Sequence, residues 1–171
     1  MEKDKASIDD MYNDLLNLGR IFGVEEKANS LVDGYRLEIS KETKNLKSEN
    51  PLRVFVYDSG EDAPFTAGLY AMPTALIEAA GGTNIMDDFK KSWGTVTWEE
   101  IIDRNPEVIV IVNYGNVTAE QKREFMMSNP AFADLDAVKN DRFVTLEYVE
   151  ATPGPRNINA VKTLLKAFWG S

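Results

Sequence analysis

The pattern of apolar positions alternates between helical spacing and short runs typical of buried strands. The most continuous run is residues 108–112, where every position is a β-branched apolar residue, and it ends abruptly at Asn113. A strand of this kind must be covered on both faces, which is typical of a central strand in a parallel sheet. We therefore predict that it lies in the middle of the sheet. Ligand-binding residues are expected just beyond it, because open α/β sheets bind ligands at the carboxyl ends of their strands.

Two helices are predicted before the first strand. Apolar residues recur at helical spacing up to Phe22, and Ser7 with Asp10 fits a capping box at the start of that helix. A second helical pattern runs from Val24 to about Leu46. It could pack on the sheet of this domain or reach another part of a larger protein. We divide the chain into a helical arm, residues 1–50, and an α/β domain, residues 51–171.

Strands and helices alternate after the arm. The predicted strands are residues 52–58, 84–86, 108–112 and 142–146. The predicted helices begin near Pro73, Thr97, Thr118 and Pro155, and capping boxes are predicted at Thr97 with Glu100 and at Thr118 with Gln121. Residues 59–68, 87–96 and 147–154 are expected to be loops. This alternation predicts a three-layer, doubly wound α/β fold with a mainly parallel, Rossmann-like sheet, preceded by a long helix.

Aromatic residues lie in the loops that should meet at the carboxyl edge of the sheet. Phe65, Tyr114 and Tyr148 follow three different strands, and the loop that holds Trp93 could join them. Aromatic rings beside a few polar groups are a common way to bind a small organic ligand. Any one of these rings could equally cap the core. The rings together indicate a ligand site more strongly than any single ring does.

Composition excludes several kinds of chemistry. The chain has 171 residues, no cysteine and no histidine, so thiolate and imidazole chemistry are excluded. A net charge of -9 disfavours nucleic acid and anionic lipid as partners. Phosphate-binding glycine motifs are missing as well. Asp58, with Glu61 and Asp62, is the remaining enzyme candidate, as a cation site or a phosphoryl acceptor, although acidic loops are usually solvated. No catalytic residue, metal ligand or cofactor is otherwise predicted.

Four segments resemble the C-terminal lobe of class III substrate-binding proteins, the components of ABC importers for ferric siderophores, haem and cobalamin. They are residues 73–85 (PTALIEAAGGTNI), 93–101 (WGTVTWEEI), 105–112 (NPEVIVIV) and 153–157 (PGPRN). The match covers residues 50–171 in the right order, and the helical arm resembles the backbone helix that bridges two lobes. The resemblance implies binding of a metal chelate between two lobes and its delivery to a membrane permease, without a chemical reaction.

The same resemblance implies roles for single residues. Trp93 falls at the cleft aromatic, Arg156 at a position from which some siderophore binders reach an anionic ligand, and Glu99 at the acidic residue that docks on permease arginines. Each has a simpler interpretation: a packed tryptophan, an arginine bracing a loop, and an acid favourable at a helix N-terminus. Further cleft candidates are Tyr57, Phe65, Tyr70, Tyr114 and Tyr148.

Compared with the family pattern, we expect that the given sequence does not include the N-terminal lobe or a signal or lipoprotein leader. The resemblance therefore implies an isolated lobe of an extracytoplasmic protein, either periplasmic or anchored at the cell surface. A ferric siderophore is the expected ligand, with cobalamin or haem as alternatives. Two other classes stay open: a receiver-like or small α/β enzyme acting through Asp58, and an interaction domain using Leu31, Val32 and Tyr35 of the arm.

Overall fold

The computed structural model describes residues 5–44 and 50–170, and it begins with two helices. Helix α1 spans Ile8–Ile21 and helix α2 spans Glu25–Thr43. The predicted capping box of Ser7 and Asp10 is confirmed at the start of α1. The expected extension of the second helix to Leu46 lies outside the described residues.

The rest of the chain alternates short strands and helices. In order, these are β1 Leu52–Tyr57, β2 Phe65–Ala67, α3 Met72–Ala79, β3 Gly82–Asn84, β4 Trp93–Thr95, α4 Trp98–Arg104, β5 Val108–Asn113, α5 Ala119–Ser128, a 3-10 helix Pro130–Phe132, α6 Asp136–Lys139, β6 Phe143–Glu147, α7 Tyr148–Ala151 and α8 Asn157–Trp169. In the described part of the chain, no helix combines the length and apolarity that crossing a membrane requires.

The main sheet has the strand order β3-β1-β5-β6, and all of its neighbours are parallel. The predicted central strand is confirmed, because β5 pairs with β1 on one side and β6 on the other, and residues 108–112 are buried. The chain moves outward from β1 to β3 and then returns to the other side of β1. The strand order therefore reverses between β1 and β5, and a ligand crevice is expected at their carboxyl ends.

Helices cover both faces of the sheet, which confirms the doubly wound α/β fold. One core contains Val54 and Val56 of β1 with residues from α1, α2, α3 and α8. The other contains Phe55 of β1 with residues from α4, α5 and α6. Met11 and Val32 are buried in the first core, so both helices of the arm pack on this domain. Whether the arm also reaches a second lobe stays a prediction.

Two segments expected to be loops contain strands. Strands β2 and β4 form an antiparallel ribbon in which Thr66 lies opposite Gly94. The prediction of loops at residues 59–68 and 87–96 was wrong at these positions. Each strand has three residues, which is too short for an alternating pattern to be recognised. The predicted loop at residues 147–154 likewise contains α7.

Asn84, in the family-like segment 73–85, joins the ribbon to the main sheet. Its buried amide nitrogen donates hydrogen bonds to Ala67 O at 2.9 Å and to Thr74 Oγ1 at 2.8 Å. Its amide oxygen accepts a bond from the Met86 amide at 3.0 Å. One buried side chain thus fixes the end of β3, the start of α3 and the edge of the ribbon.

The short strand predicted at residues 84–86 lies two positions earlier, as β3. Gly81 follows the end of α3 with φ of 83°, a left-handed conformation that glycine adopts without strain. Gly82 then begins the strand at a close approach, where an added Cβ would lie 3.1 Å from Val54 Cγ2. The glycine pair therefore ends the helix and starts the strand at once.

Candidate functional site

A cavity of about 260 Å³ lies at the carboxyl ends of β1 and β5, where the strand order reverses. Its lining residues are Asp58, Phe65, Trp93, Val112, Tyr114, Tyr148, Ala151 and Thr152. Four of the predicted cleft residues, Phe65, Trp93, Tyr114 and Tyr148, thus lie around one cavity. Binding by these residues stays a prediction, but their common location follows from the sheet topology.

The four aromatic rings form two stacked pairs. The rings of Phe65 and Trp93 are diagonal neighbours across the ribbon, with centroids 6.0 Å apart and planes 12° apart. The rings of Tyr114 and Tyr148 have centroids 4.6 Å apart. Tyr114 is 55% exposed and Tyr148 is 47% exposed. Flat apolar surface from two separate parts of the chain is therefore available to a ligand.

Asp58 supplies the charge at this cavity. It follows β1 directly and is 9% exposed. Its Oδ2 accepts a hydrogen bond from Ser59 Oγ at 2.9 Å, and its backbone amide donates to Phe65 O at 3.1 Å. Within residues 5–44 and 50–170, its other carboxylate oxygen has no hydrogen-bond partner and no ion pair. That oxygen is therefore available to a ligand.

Lys122 is a buried lysine beneath the Tyr114 segment, and the sequence analysis missed it. It is 1% exposed, and its ammonium donates hydrogen bonds to Val112 O at 2.7 Å and Tyr114 O at 3.3 Å. Burial lowers the pKa of Lys122, and the negative charge of Asp58 opposes that effect. Its spacing is a signal that could have found it, because Lys122 lies four residues before the buried Met126 on the inner face of α5.

Tyr57 was expected in the cleft, and the structure corrects this placement. Its side chain is 1% exposed and packs in the second core against Phe55 and Trp98. Burial, followed by the charges of Glu61 and Asp58, raises the pKa of Tyr57 to about 12. The ring is therefore a core residue behind the cavity wall.

The remaining predicted residues are not among the described residues that line this cavity. Tyr70 lines a separate cavity beside α1, together with Met11 and Pro153. Arg156 is exposed in the turn before α8 and is not among the described lining residues. A role for Tyr70 or Arg156 in ligand binding stays a prediction.

Glu99 is exposed in the first turn of α4, beside an acidic loop. The predicted capping box of Thr97 and Glu100 is confirmed at this helix. The indole nitrogen of Trp98 donates a hydrogen bond to Glu61 O at 2.6 Å. That bond holds the acidic loop after β1 against the start of the helix that carries Glu99.

Comparison with known proteins decides the family. The sequence model of the periplasmic binding protein family matches residues 1–150 of the chain. The chain belongs to the periplasmic binding protein family. This agrees with the resemblance seen in the sequence, and the mainly parallel α/β fold agrees with solved structures of periplasmic binding proteins.

Three similar proteins illustrate the relationship. An uncharacterized ABC transporter substrate-binding lipoprotein of Bacillus subtilis, YvrC, is 24% identical over 170 residues, which cover 97% of this chain and 52% of that protein. A vitamin B12-binding protein of Yersinia pestis is 26% identical over 108 residues, covering 63% of this chain and 38% of that protein. The crystal structure of a periplasmic binding protein from Veillonella parvula is 34% identical, with a TM-score of 0.89, and the match covers 97% of this chain and 58% of that one. This periplasmic binding protein chain thus spans about half the length of relatives that it matches.

Proposed function

We propose that this chain is one lobe of the substrate-binding component of an ABC importer, and that it binds a metal chelate of the ferric siderophore type at the aromatic cavity. The observation that carries the proposal is the cavity itself, with two stacked ring pairs at the reversal of strand order. Family membership and the description of the YvrC relative support the transport role.

The lining of the cavity favours binding over catalysis. Aromatic rings, Val112 and Ala151 supply apolar contact, and Thr152 and Asp58 add few polar groups. This is the composition with which proteins hold small organic molecules. The organic shell of a chelate would rest on the rings and bury the metal away from protein ligands. The name of the vitamin B12-binding relative supports cobalamin as an alternative cargo, and haem is the second alternative.

A second lobe would complete the site. Ligand pockets usually have volumes of about 300–1,000 Å³ and bury most of the ligand surface. The cavity of about 260 Å³ is smaller than that range. A chelate bound here would therefore stay partly exposed until another wall closes over it. We infer that the other half of the longer protein provides that wall.

Delivery to a permease would use the acidic surface around Glu99. The bond from Trp98 to Glu61 O adds the loop of Glu61 and Asp62 to this surface. Exposed charges of one sign speed up encounters with a partner of opposite sign, more strongly at low salt. We propose an extracytoplasmic location, because the cargo would be captured outside the membrane. In a reconstituted importer, Glu99→Lys should slow transport while leaving chelate affinity unchanged, and equal transport rates would contradict the docking role.

The binding role is tested with the full product of the gene that encodes this chain. We expect quenching of tryptophan fluorescence on titration with ferrichrome, cyanocobalamin or haemin. Trp93→Leu should weaken binding by about tenfold or more, because stacking and apolar area are both lost. Trp169→Phe is the matched control, since Trp169 donates to Ala80 O in the first core and does not line the cavity. Failure of every chelate to bind would refute the proposal.

The position of Asp58 favours an enzyme as the alternative from another functional class. Asp58 directly follows β1, and its carboxylate lines the cavity, which is the position that a phosphoryl acceptor would need. Incubation with Mg²⁺ and acetyl phosphate, followed by intact mass measurement, separates the two functions. The binding proposal expects no adduct, and a stable phosphoryl adduct that Asp58→Asn abolishes would favour the enzyme.

A further inference from the structure

We propose that Asp58 makes the cavity selective for the charge of its ligand. Chelates with no net negative charge and with hydrogen-bond donors on their rim are favoured, and anionic chelates such as ferric triscatecholates are disfavoured. The inference rests on the proposed function and narrows its ligand class. It concerns which chelates bind, whereas the proposed function concerns whether any chelate binds.

The position of the Asp58 carboxylate supports this selectivity. Asp58 is 9% exposed and lines the same cavity as the four rings. Ser59 Oγ donates to Oδ2, and the other oxygen lacks a partner among the described residues. No buried side-chain oxygen or nitrogen in the described part of the chain lacks a partner, so this oxygen is reached by solvent at the cavity surface. A ligand that excludes water from it would have to supply a donor in return. A ligand that brings an amide, hydroxyl or ammonium donor would satisfy this oxygen.

The described wall of the cavity also lacks a cation that a bound ligand could contact. Its described lining residues include no lysine or arginine. The positive charge of Lys122 interacts with the negative charge of Asp58. The Lys122 ammonium is buried, however, and it already donates to the carbonyl oxygens of Val112 and Tyr114, so it is not available to a ligand. Arg156, the residue expected to reach an anionic ligand, is not among the described lining residues.

The candidate cargoes differ in the charge that they would place beside Asp58. A ferric triscatecholate carries three negative charges and haem carries two propionates, so each would place like charge beside Asp58. Repulsion of this kind is strong where water is partly excluded. A corrinoid presents carboxamide N–H groups on its rim, and ferrioxamine B presents amides and an ammonium group. Tyrosine and threonine hydroxyls at the wall are neutral and suit either kind of rim.

The test compares three probes on the full gene product by fluorescence titration: cyanocobalamin, ferrioxamine B and ferric enterobactin. The unsubstituted protein should bind at least one of the first two more tightly than ferric enterobactin. Asp58→Asn, which keeps the side-chain shape, should reduce that preference by about tenfold or more, because the like charge is gone. Asp62→Asn is the matched control, since it removes the same charge from an exposed position in the same loop and should leave the preference nearly unchanged.

Three outcomes would overturn the inference. They are tightest binding of ferric enterobactin by the unsubstituted protein, an unchanged preference in Asp58→Asn, and an equal loss of preference in Asp62→Asn. The first outcome is measured on the unsubstituted protein, so it tests the charge selectivity even if Asp58→Asn fails to fold. Absence of binding to every probe refutes the proposed function itself, and this distinguishes the two failures.

Discussion

Tyr57 offers a direct test of the packing behind the cavity. Its position at the end of β1 predicts a place in the ligand cleft, whereas in the structure its ring lies in the second core and is 1% exposed. Its hydroxyl donates a 3.4 Å hydrogen bond to Gly60 O. The pKa is raised from 10.0 to about 12, by burial first and by the charges of Glu61 and Asp58 next. The substitution to test is therefore Tyr57→Phe, and its effect on the free energy of unfolding is measured as a function of pH.

The size and sign of the effect follow from proton linkage. Between pH 10 and pH 12 the unfolded chain loses the Tyr57 proton while the folded chain keeps it, so folding stability falls as pH rises. The contribution is fully present below pH 10 and is lost as pH passes the folded pKa. A shift of two pKa units corresponds to about 2.7 kcal/mol, and about half of it, roughly 1.4 kcal/mol, should be lost by pH 11.

The assay is urea unfolding of the unsubstituted chain and of Tyr57→Phe at several pH values from 8.5 to 11. We expect the free energy of unfolding of the unsubstituted chain to fall, relative to the variant, by about 1.4 kcal/mol between pH 9 and pH 11. Tyr12 also has a raised pKa, mainly through burial, but it is present in both proteins and cancels. A difference that stays constant with pH would refute the buried placement. It would return Tyr57 to a solvent-exposed cleft position.

Two further predictions test the scaffold of the site. Lys122→Met should lower the free energy of unfolding by about 1.5–3 kcal/mol in urea unfolding at pH 7, because two carbonyl oxygens lose a charged donor; an unchanged midpoint would contradict this role. Asn84→Ala should cost about 3 kcal/mol or more, since three buried hydrogen bonds are lost. The exposed Asn116→Ala serves as its control, and equal effects of the two substitutions would show that the Asn84 bonds do not stabilise the ribbon.

The parts of the fold that were predicted correctly are those determined by residues close to one another in the sequence. Residues 108–112 identified a strand covered on both faces, and the capping boxes at Thr97 and Thr118 located the starts of α4 and α5. The ribbon was missed because its two strands are three residues long and come from segments more than twenty residues apart. Their pairing depends on tertiary contacts such as those of Asn84, and no local pattern encodes it.

The candidate site was predicted only in part, because the sequence shows which residues follow strand ends but does not show which way every side chain points. Residues that follow strand ends meet at one edge of a parallel sheet, so Phe65, Tyr114 and Tyr148 could be expected together. Tyr57 was misplaced because it is the last residue of a strand buried on both faces. Alternation along such a strand does not show which face the last side chain takes. Its neighbour two positions earlier, Phe55, lies in the same core, and Tyr57 follows it.

The residues that reveal the family and the residues that line the cavity overlap only in part, since Trp93 and Val112 belong to both sets. Asn84 belongs to one of the family-like segments, yet it is not among the described lining residues, and its hydrogen bonds connect β3, α3 and the ribbon. Asp58 and Tyr114 lie outside the four family-like segments and line the cavity directly. Ligand choice should therefore respond to substitutions at Asp58 and the rings, while substitutions at Asn84 should change stability.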